Sequence, residues 1–378
     1  MPSTLVYLDH AATTPMRREA IEAMLPYLDQ QFANPNGSHR FARAARRALD
    51  DAREVVAGVV GCDPGEVIFT SGGTESDNTA ILGVVARRGG VPLCSAVEHH
   101  AVLESIEHVK GRVVGVDHAG RIDLDQLAAA VDDHVSVVSV MAVNNEVGSI
   151  TDVAAATAVA RRANPRVLVH TDAVQAAPWI DLRELTPHVD LLSLSAHKFG
   201  GPKGVGVLID RTAGAVEPLV IGGGQERERR SGTQNVAGAV ALAEALRLTD
   251  AERVDECARL TLLRDRLVHE LTTRLPDVRE TVAPPAKVAG SAHLCIRGVE
   301  NEALLFLLDE GEVCASAASA CAAGAMEPSH VLAAMGVERE WAAGALRLTL
   351  GRTTTESDVD RAVEVISGAV ERIRGHGR

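Results

Sequence analysis

Between about residues 40 and 245 the chain alternates two textures. Short runs of Val, Ile and Leu fall at 66–70, 92–96, 135–143, 166–171 and 189–195. Amphipathic, Ala-rich stretches fall at 43–60, 75–87, 101–110, 124–131 and 153–163. The apolar runs are too short for buried helices and lack a polar face, so they read as strands covered on both sides. Buried strands separated by helices predict an α/β fold with a mainly parallel sheet. The run at 205–209 follows a glycine turn and predicts an added antiparallel strand. Aromatic residues are only 2% of the chain, so the core must be built from Ala, Val, Leu and Ile.

The remainder changes texture. Residues 236–275 have helical period, as two helices or one long bent one. Residues 281–292, with Pro284-Pro285, form a break. A strand near 293–296, a helix at 301–310, a long stretch of small residues, a helix near 329–335, a strand near 345–350 and a helix from 356 follow. This predicts a second, smaller α+β lobe.

Several classes of function are disfavoured. A net charge of −13 does not suit nucleic acid or an anionic membrane as main partner. Residues 1–10 lack the pattern of a signal peptide, and no apolar run is long enough to span a bilayer. Six cysteines without CxxC spacing suggest neither a disulfide framework nor a zinc site. The expectation is a cytoplasmic protein without a structural metal.

In an open α/β sheet, ligands bind beyond the carboxyl ends of the strands. Two such ends carry His170-Thr171-Asp172-Ala173-Val174-Gln175 and Ser195-Ala196-His197-Lys198. A lysine at one strand end and an aspartate at a neighbouring one suit pyridoxal phosphate. The lysine forms a Schiff base, and the carboxylate keeps the pyridine nitrogen protonated. An ion pair to arginine would serve Asp172 equally well. Gln175 can donate to the cofactor's phenolic oxygen. His99 can stack on the ring, although a histidine at a strand end is more often a cap. Ser71-Gly72-Gly73-Thr74-Glu75-Ser76 follows a strand and opens a helix, where backbone N–H groups favour an anion. By itself it is as readily a capped glycine turn. GxxxxGK[ST] and a strand-borne GxGxxG are absent, so a compact phosphate fits better than a nucleotide. Arg347 is a charge within an apolar strand and calls for a carboxylate, from an amino-acid substrate or from within the chain. Cys321 lies among small residues that read as a mobile loop, where a thiol can reach a substrate and then an acceptor; an incidental cysteine in a linker is the plainer alternative. Cys314 reads as core, and Cys62, Cys94, Cys257 and Cys295 as buried.

Taken together these segments resemble the NifS/IscS-type cysteine desulfurases of the class V aminotransferase family, fold-type I pyridoxal-phosphate enzymes. The likeness rests on Tyr7-Leu8-Asp9-His10-Ala11-Ala12-Thr13, Thr70-Ser71-Gly72-Gly73-Thr74-Glu75-Ser76, Glu98-His99-His100, Asn144-Asn145-Glu146, Ser195-Ala196-His197-Lys198, Arg230-Ser231-Gly232-Thr233 and Ser319-Ala320-Cys321. It implies a large domain, 13–255, with a sheet of the seven-stranded type. It implies a small domain made of 1–12 and 256–378, carrying the cysteine loop. Lys198 would be the Schiff-base residue. Gly73, Thr74, Ser195 and His197 would hold the phosphate, with Thr233 reaching in from a homodimer partner. Asp172, Gln175, Asn145 and His99 would hold the ring. Arg347, with Asn145, would bind the L-cysteine carboxylate. Lys198 and His99 would carry protons, and Cys321 would take sulfur as a persulfide for an iron–sulfur scaffold or thiolation enzyme. Three departures stand out. Ala318 replaces a glycine of the family's cysteine loop, Ser291-Ala292-His293-Leu294 replaces an Asn-rich strand, and the C-terminal tail is short. A selenocysteine lyase, a cysteine sulfinate desulfinase, an aminotransferase or a non-catalytic sulfur carrier remains open on sequence.

Overall fold

The computed structural model describes residues 5–317 and 329–376. The strands among them are β1 (Val6–Tyr7), β2 (Val67–Thr70), β3 (Val91–Ser95), β4 (Arg112–Val114), β5 (Val135–Ser139), β6 (Leu168–Asp172), β7 (Leu191–Ser195), β8 (Gly206–Asp210), β9 (Val278–Glu280), β10 (Ser291–Ile296), β11 (Val313–Cys314) and β12 (Ala345–Thr349). Seven of them form one sheet in the order β2-β8-β7-β6-β5-β3-β4. Neighbours from β7 to β4 run parallel, and β8 lies antiparallel to both β2 and β7. The expected antiparallel addition is therefore inserted inside the sheet, not at its rim.

Aliphatic side chains fill both faces, as the shortage of aromatics requires. On one face Leu192, Leu194, Val207 and Ile209 pack with Val56 and Val60 of the helix Arg40–Val60 and Leu242 of the helix Val236–Arg274. Elsewhere in the sheet Leu93 and Val138 pack with Leu127 and Ala160. The helix Val236–Arg274 is a single 39-residue element. Its first turns belong to the first core, while Leu260, Leu263, Leu267 and Leu271 belong to a second one. Val6 and Leu8 from the chain's beginning join that second core, with Leu294 of β10, Leu346 and Leu348 of β12, and Ile366 of the helix Glu356–His376.

Several elements differ from the sequence expectation. The run at 135–143 pairs as a strand only through Ser139. Beyond it, Val140 and Ala142 still donate backbone hydrogen bonds to His170 and Asp172, so the chain continues straight toward Asn145. The short strands β1, β4, β9 and β11 carry two or three residues each, too few for periodicity to reveal. Of the cysteines read as buried, Cys94 and Cys295 are, but Cys62 and Cys257 are only half-buried.

Candidate active site

Lys198 and Asp172 stand at adjacent strand ends. Asp172 closes β6 and pairs in register with Ser193 of β7, and Lys198 lies in the short turn Ala196–Lys198 directly after β7. The Asp172 side chain is buried, and its Oδ1 accepts the Val174 N–H at 2.9 Å. Burial pushes its carboxyl up from the usual range, while His99, the Val174 N–H and Lys198 pull it back. A buried carboxylate so balanced calls for a cation beside it. The Lys198 ammonium donates to the Ala11 and Ala12 carbonyls, at 2.6 and 2.9 Å.

The glycine loop sits against both. Gly73 opens the 16-residue helix Gly73–Arg88, and a Cβ there would come within 2.7 Å of Val174 Cγ2. Gly206 of β8 lies between Thr70 and Ser195, and a Cβ on it would approach Gly72 Cα to 2.6 Å. Only glycines let the loop fold this closely over the sheet, leaving a helix N-terminus beside Ser195 that suits an anion. Thr74 is exposed at that terminus, and His197 Nδ1 lies 3.2 Å from Thr13 Oγ1. Burial first, then Lys198 and Lys203, holds the His197 imidazole down to about 4, so it is neutral near pH 7.

His99 caps the helix His100–His108, its Nδ1 accepting the Ala101 N–H at 3.1 Å. That bond assigns the neutral ring's proton to Nε2. Burial lowers the His99 pKa, helped by Lys198, His100 and His330 against the pull of Asp172. Asn144 is spent on structure, bonding the Val97 carbonyl and the Glu146 and Val147 N–H groups. Asn144 and Asn145 both line a cleft that also reaches Lys198 and Gln175. His99, Asp172, Gly73 and Arg347 are not among the walls of that cleft. Gln175 donates its amide to the Ala11 carbonyl at 2.8 Å. Arg347 Nη1 donates to the Asn145 carbonyl at 3.0 Å and Nη2 to Asp9 Oδ1 at 2.7 Å. Thr233 is exposed on the loop before the helix Val236–Arg274. Cys321 lies outside the described residues. Described residues on either side of it are anchored at the site, Ser316 by backbone pairing with Arg347 and Ser329 by a hydrogen bond to Glu146.

Three features were not read from the sequence. Asp77 is buried under the sheet 3.5 Å from His170 Nε2, and His170 bridges Ser139 and Ser193 at 2.8 and 3.0 Å. Burial and then the Asp172 charge push Asp77 well above the ordinary carboxylate range. Its spacing with Ala80, Ile81 and Val84 on one helical face was the available signal. Secondly, Arg53 and Glu226 form a buried bidentate pair, both contacts 2.9 Å. It anchors a turn in which Glu226, Arg227 and Glu228 all have positive φ. Thirdly, Arg229 and Arg230 are engaged: Arg230 pairs with Glu75 at the glycine loop, and Arg229 donates to the Gly65 carbonyl.

A glycine-walled helix terminus, a strand-end lysine and a buried carboxylate are the donor set that pyridoxal phosphate needs for its phosphate, aldehyde and ring nitrogen. The fold and these residues together define a fold-type I pyridoxal-phosphate enzyme. Residues 6–362 match the class-V aminotransferase family. An IscS-like cysteine desulfurase of Mycobacterium tuberculosis is 45% identical over 98% of this chain and 97% of its own. A cysteine desulfurase IscS of Methanosarcina thermophila is 40% identical over 98% and 93%. Among solved structures, a NifS-like protein superposes with a TM-score of 0.89 at 35% identity, covering 96% of this chain and 98% of that one. SspA in complex with cysteine gives 0.80 at 29% identity, over 91% and 98%. The chain belongs to the class-V aminotransferase family, among its IscS/NifS-type cysteine desulfurases.

Proposed function

We propose that the protein removes sulfur from L-cysteine, releasing L-alanine and leaving a persulfide on Cys321. The observation that carries the reading is the juxtaposition of Lys198, Asp172 and the Gly73 helix terminus at the carboxyl ends of β7, β6 and β2. Bound there, pyridoxal phosphate supplies an electron sink that makes bonds around the amino acid's Cα and Cβ breakable. Gly73 and Thr74, with Ser195 and His197, would hold the phosphate. Asp172 would keep a proton on the ring nitrogen, and the neutral His99 ring would stack on the cofactor. Arg347, whose fork already reaches Asn145, binds the substrate carboxylate. Lys198 and His99 move protons at Cα. The Cys321 thiolate attacks the substrate sulfur: the C–S bond breaks, an S–S bond forms, and the electron pair left on the Cβ methylene takes a proton to give the methyl group of alanine.

The other five cysteines support giving the sulfur to Cys321. Burial raises the thiol pKa of Cys62, Cys94, Cys257, Cys295 and Cys314 alike, so none of them is primed as a thiolate. The five residue steps from Ser316 to Cys321 reach at most about 18 Å, and they start within range of Arg347.

The same proposal covers assembly and setting. The domain division is 13–255 against 1–12 with 256–378, supported by the two cores that share the helix Val236–Arg274. The active form is a homodimer in which Thr233 completes the partner's phosphate site. Support comes from Phe32 and Ile221, left 68% and 86% exposed, together with Leu25 and Leu28. Sulfur passes to an acceptor thiol on an iron–sulfur scaffold or thiolation enzyme. No helix among the described residues is long and apolar enough to cross a membrane. Five unpaired cysteines suit a reducing cytoplasm. The test is direct: purified holoenzyme given cysteine must form alanine and a Cys321 persulfide, and Cys321→Ala must keep the cofactor's visible absorbance while losing both products. Normal desulfuration by that variant overturns the assignment.

A further inference from the structure

Arg347 already holds a carboxylate. Its Nη2 donates to Asp9 Oδ1 at 2.7 Å and its Nη1 to the Asn145 carbonyl at 3.0 Å, while its buried Nε has no hydrogen-bond partner among the described residues. The two partners are not equally committed. Arg347 is 5% exposed, and its backbone is locked into β12 between β10 and Ser316. The Asp9 side chain is 21% exposed at the end of a segment whose backbone is held separately, by the Tyr7 hydroxyl at 3.1 Å and a bridge to Thr349. A side-chain rotation therefore frees Asp9 toward solvent without unfolding anything, whereas the guanidinium cannot leave.

We propose that Asp9 is a resident counter-carboxylate that an incoming amino acid displaces from Arg347, and that it thereby sets how tightly the site holds both substrate and product. The inference rests on the reading of Arg347 as the carboxylate anchor. A buried guanidinium with no counter-charge is costly, and Asp9 supplies one between turnovers. Cysteine and alanine carry the same carboxylate, so an unopposed Arg347 would retain the product as firmly as it recruits the substrate. Binding both equally well adds nothing to the chemical step. A resident competitor weakens the hold on each and favours release. Asp9 touches no reacting atom, so it is a positioning residue that acts through Arg347.

The experiment uses holoenzyme and two non-reacting probes followed through the cofactor's visible absorbance. L-alanine has the carboxylate, and cysteamine has the amine and thiol without it. Asp9→Asn keeps the shape and a hydrogen-bond acceptor but removes the charge. At an effective dielectric near 20, a unit charge about 5 Å from the entering carboxylate corresponds to at least roughly a ten-fold change in affinity. The expected result is L-alanine binding about ten-fold tighter, a matching fall in KM for cysteine, and cysteamine unchanged. Should Asp9→Asn fold poorly, Asp9→Ser carries the same expectation. L-alanine bound no more tightly than by the parent overturns the proposal, as does an equal gain for cysteamine. Arg347→Lys separates the two layers. If it leaves L-alanine affinity intact, the anchor reading itself fails. If it weakens L-alanine while Asp9→Asn changes nothing, only the role of Asp9 fails.

Discussion

The buried pair between Arg53 and Glu226 offers the most quantitative test of how this site is braced. The two side chains are 7% and 1% exposed and meet through two contacts of 2.9 Å. Arg53 also bonds the Val67 carbonyl, and Glu226 also accepts the Phe69 N–H at 3.1 Å and the Gln234 amide. Burial alone would raise the Glu226 carboxyl, but Arg53's hydrogen bonds and charge outweigh it and hold the group below the usual range. Arg53→Met leaves that carboxylate buried without its cation. Two unit charges about 4 Å apart at an effective dielectric of 20 interact by about 4 kcal/mol. Breaking one side of a buried pair costs about 3–5 kcal/mol in measured cases. The expected loss, about 4 kcal/mol, corresponds to a fall of roughly 10 °C in thermal midpoint for a domain of this size. The pH dependence fixes the sign. In the parent, Glu226 has a depressed folded pKa. Its contribution is present above the ordinary value near 4.5 and fades as pH falls through the lower folded one. In Arg53→Met the carboxyl is left to burial and its folded pKa rises, so the variant loses stability as pH increases. Arg53→Met with Glu226→Gln removes the stranded charge but keeps an acceptor for Phe69, and should recover most of the loss. The assay is thermal unfolding at fixed protein and cofactor concentration from pH 5 to 8. A single-variant deficit below about 1 kcal/mol, or one independent of pH, refutes the reasoning.

Other outcomes follow from the same geometry. Lys198→Ala should abolish the Schiff-base absorption and cysteine turnover together; parental turnover by this variant would end the whole account. Gly73→Val drives a branched side chain into Val174 Cγ2, where even a Cβ comes within 2.7 Å, and should weaken cofactor retention at least about ten-fold by equilibrium dialysis. Retention equal to the parent's would mean the cradle lies elsewhere. His293 is buried, and burial, then Arg347 and Lys287, holds it down to about 3 against an unfolded value near 6.5. It therefore costs stability as pH falls below about 6.5, and His293→Gln should flatten that fall by one proton, about 1.4 kcal/mol per pH unit, in denaturant titrations at pH 6 and 5. Identical slopes for variant and parent would show that His293 is protonated in the folded protein.

What could be read in advance followed periodicity and position. Parallel strands buried on both faces leave an unmistakable run of Val, Leu and Ile, so β3, β5, β6 and β7 were visible with the helices between them. Their ends were marked by the switch to Asp172 and Lys198. Strands of two or three residues leave no period, and β4 and β1 passed unseen. Whether residues 236–275 made one helix or two was undecidable, because both cores accept the same Leu spacing. Asp172 and Lys198 could be paired in advance because each belongs to a strand end, and strand ends meet by rule. The bond of Gln175 to the Ala11 carbonyl joins positions 164 apart, so no local pattern announces it.

The chain's own order of residues therefore determined the sheet, the glycine-capped helix and the place of Lys198 at a strand end, since each depends on near neighbours and a fixed repeat. Tertiary structure decided which charges meet. Asp9 reaches Arg347 across 338 positions, Arg53 reaches Glu226 across 173, and Asp77 lies within 3.5 Å of His170 through the packing of a helix on the sheet. Such pairs leave no local trace, because a buried ion recognises any opposite charge and only the folded backbone selects the one within reach.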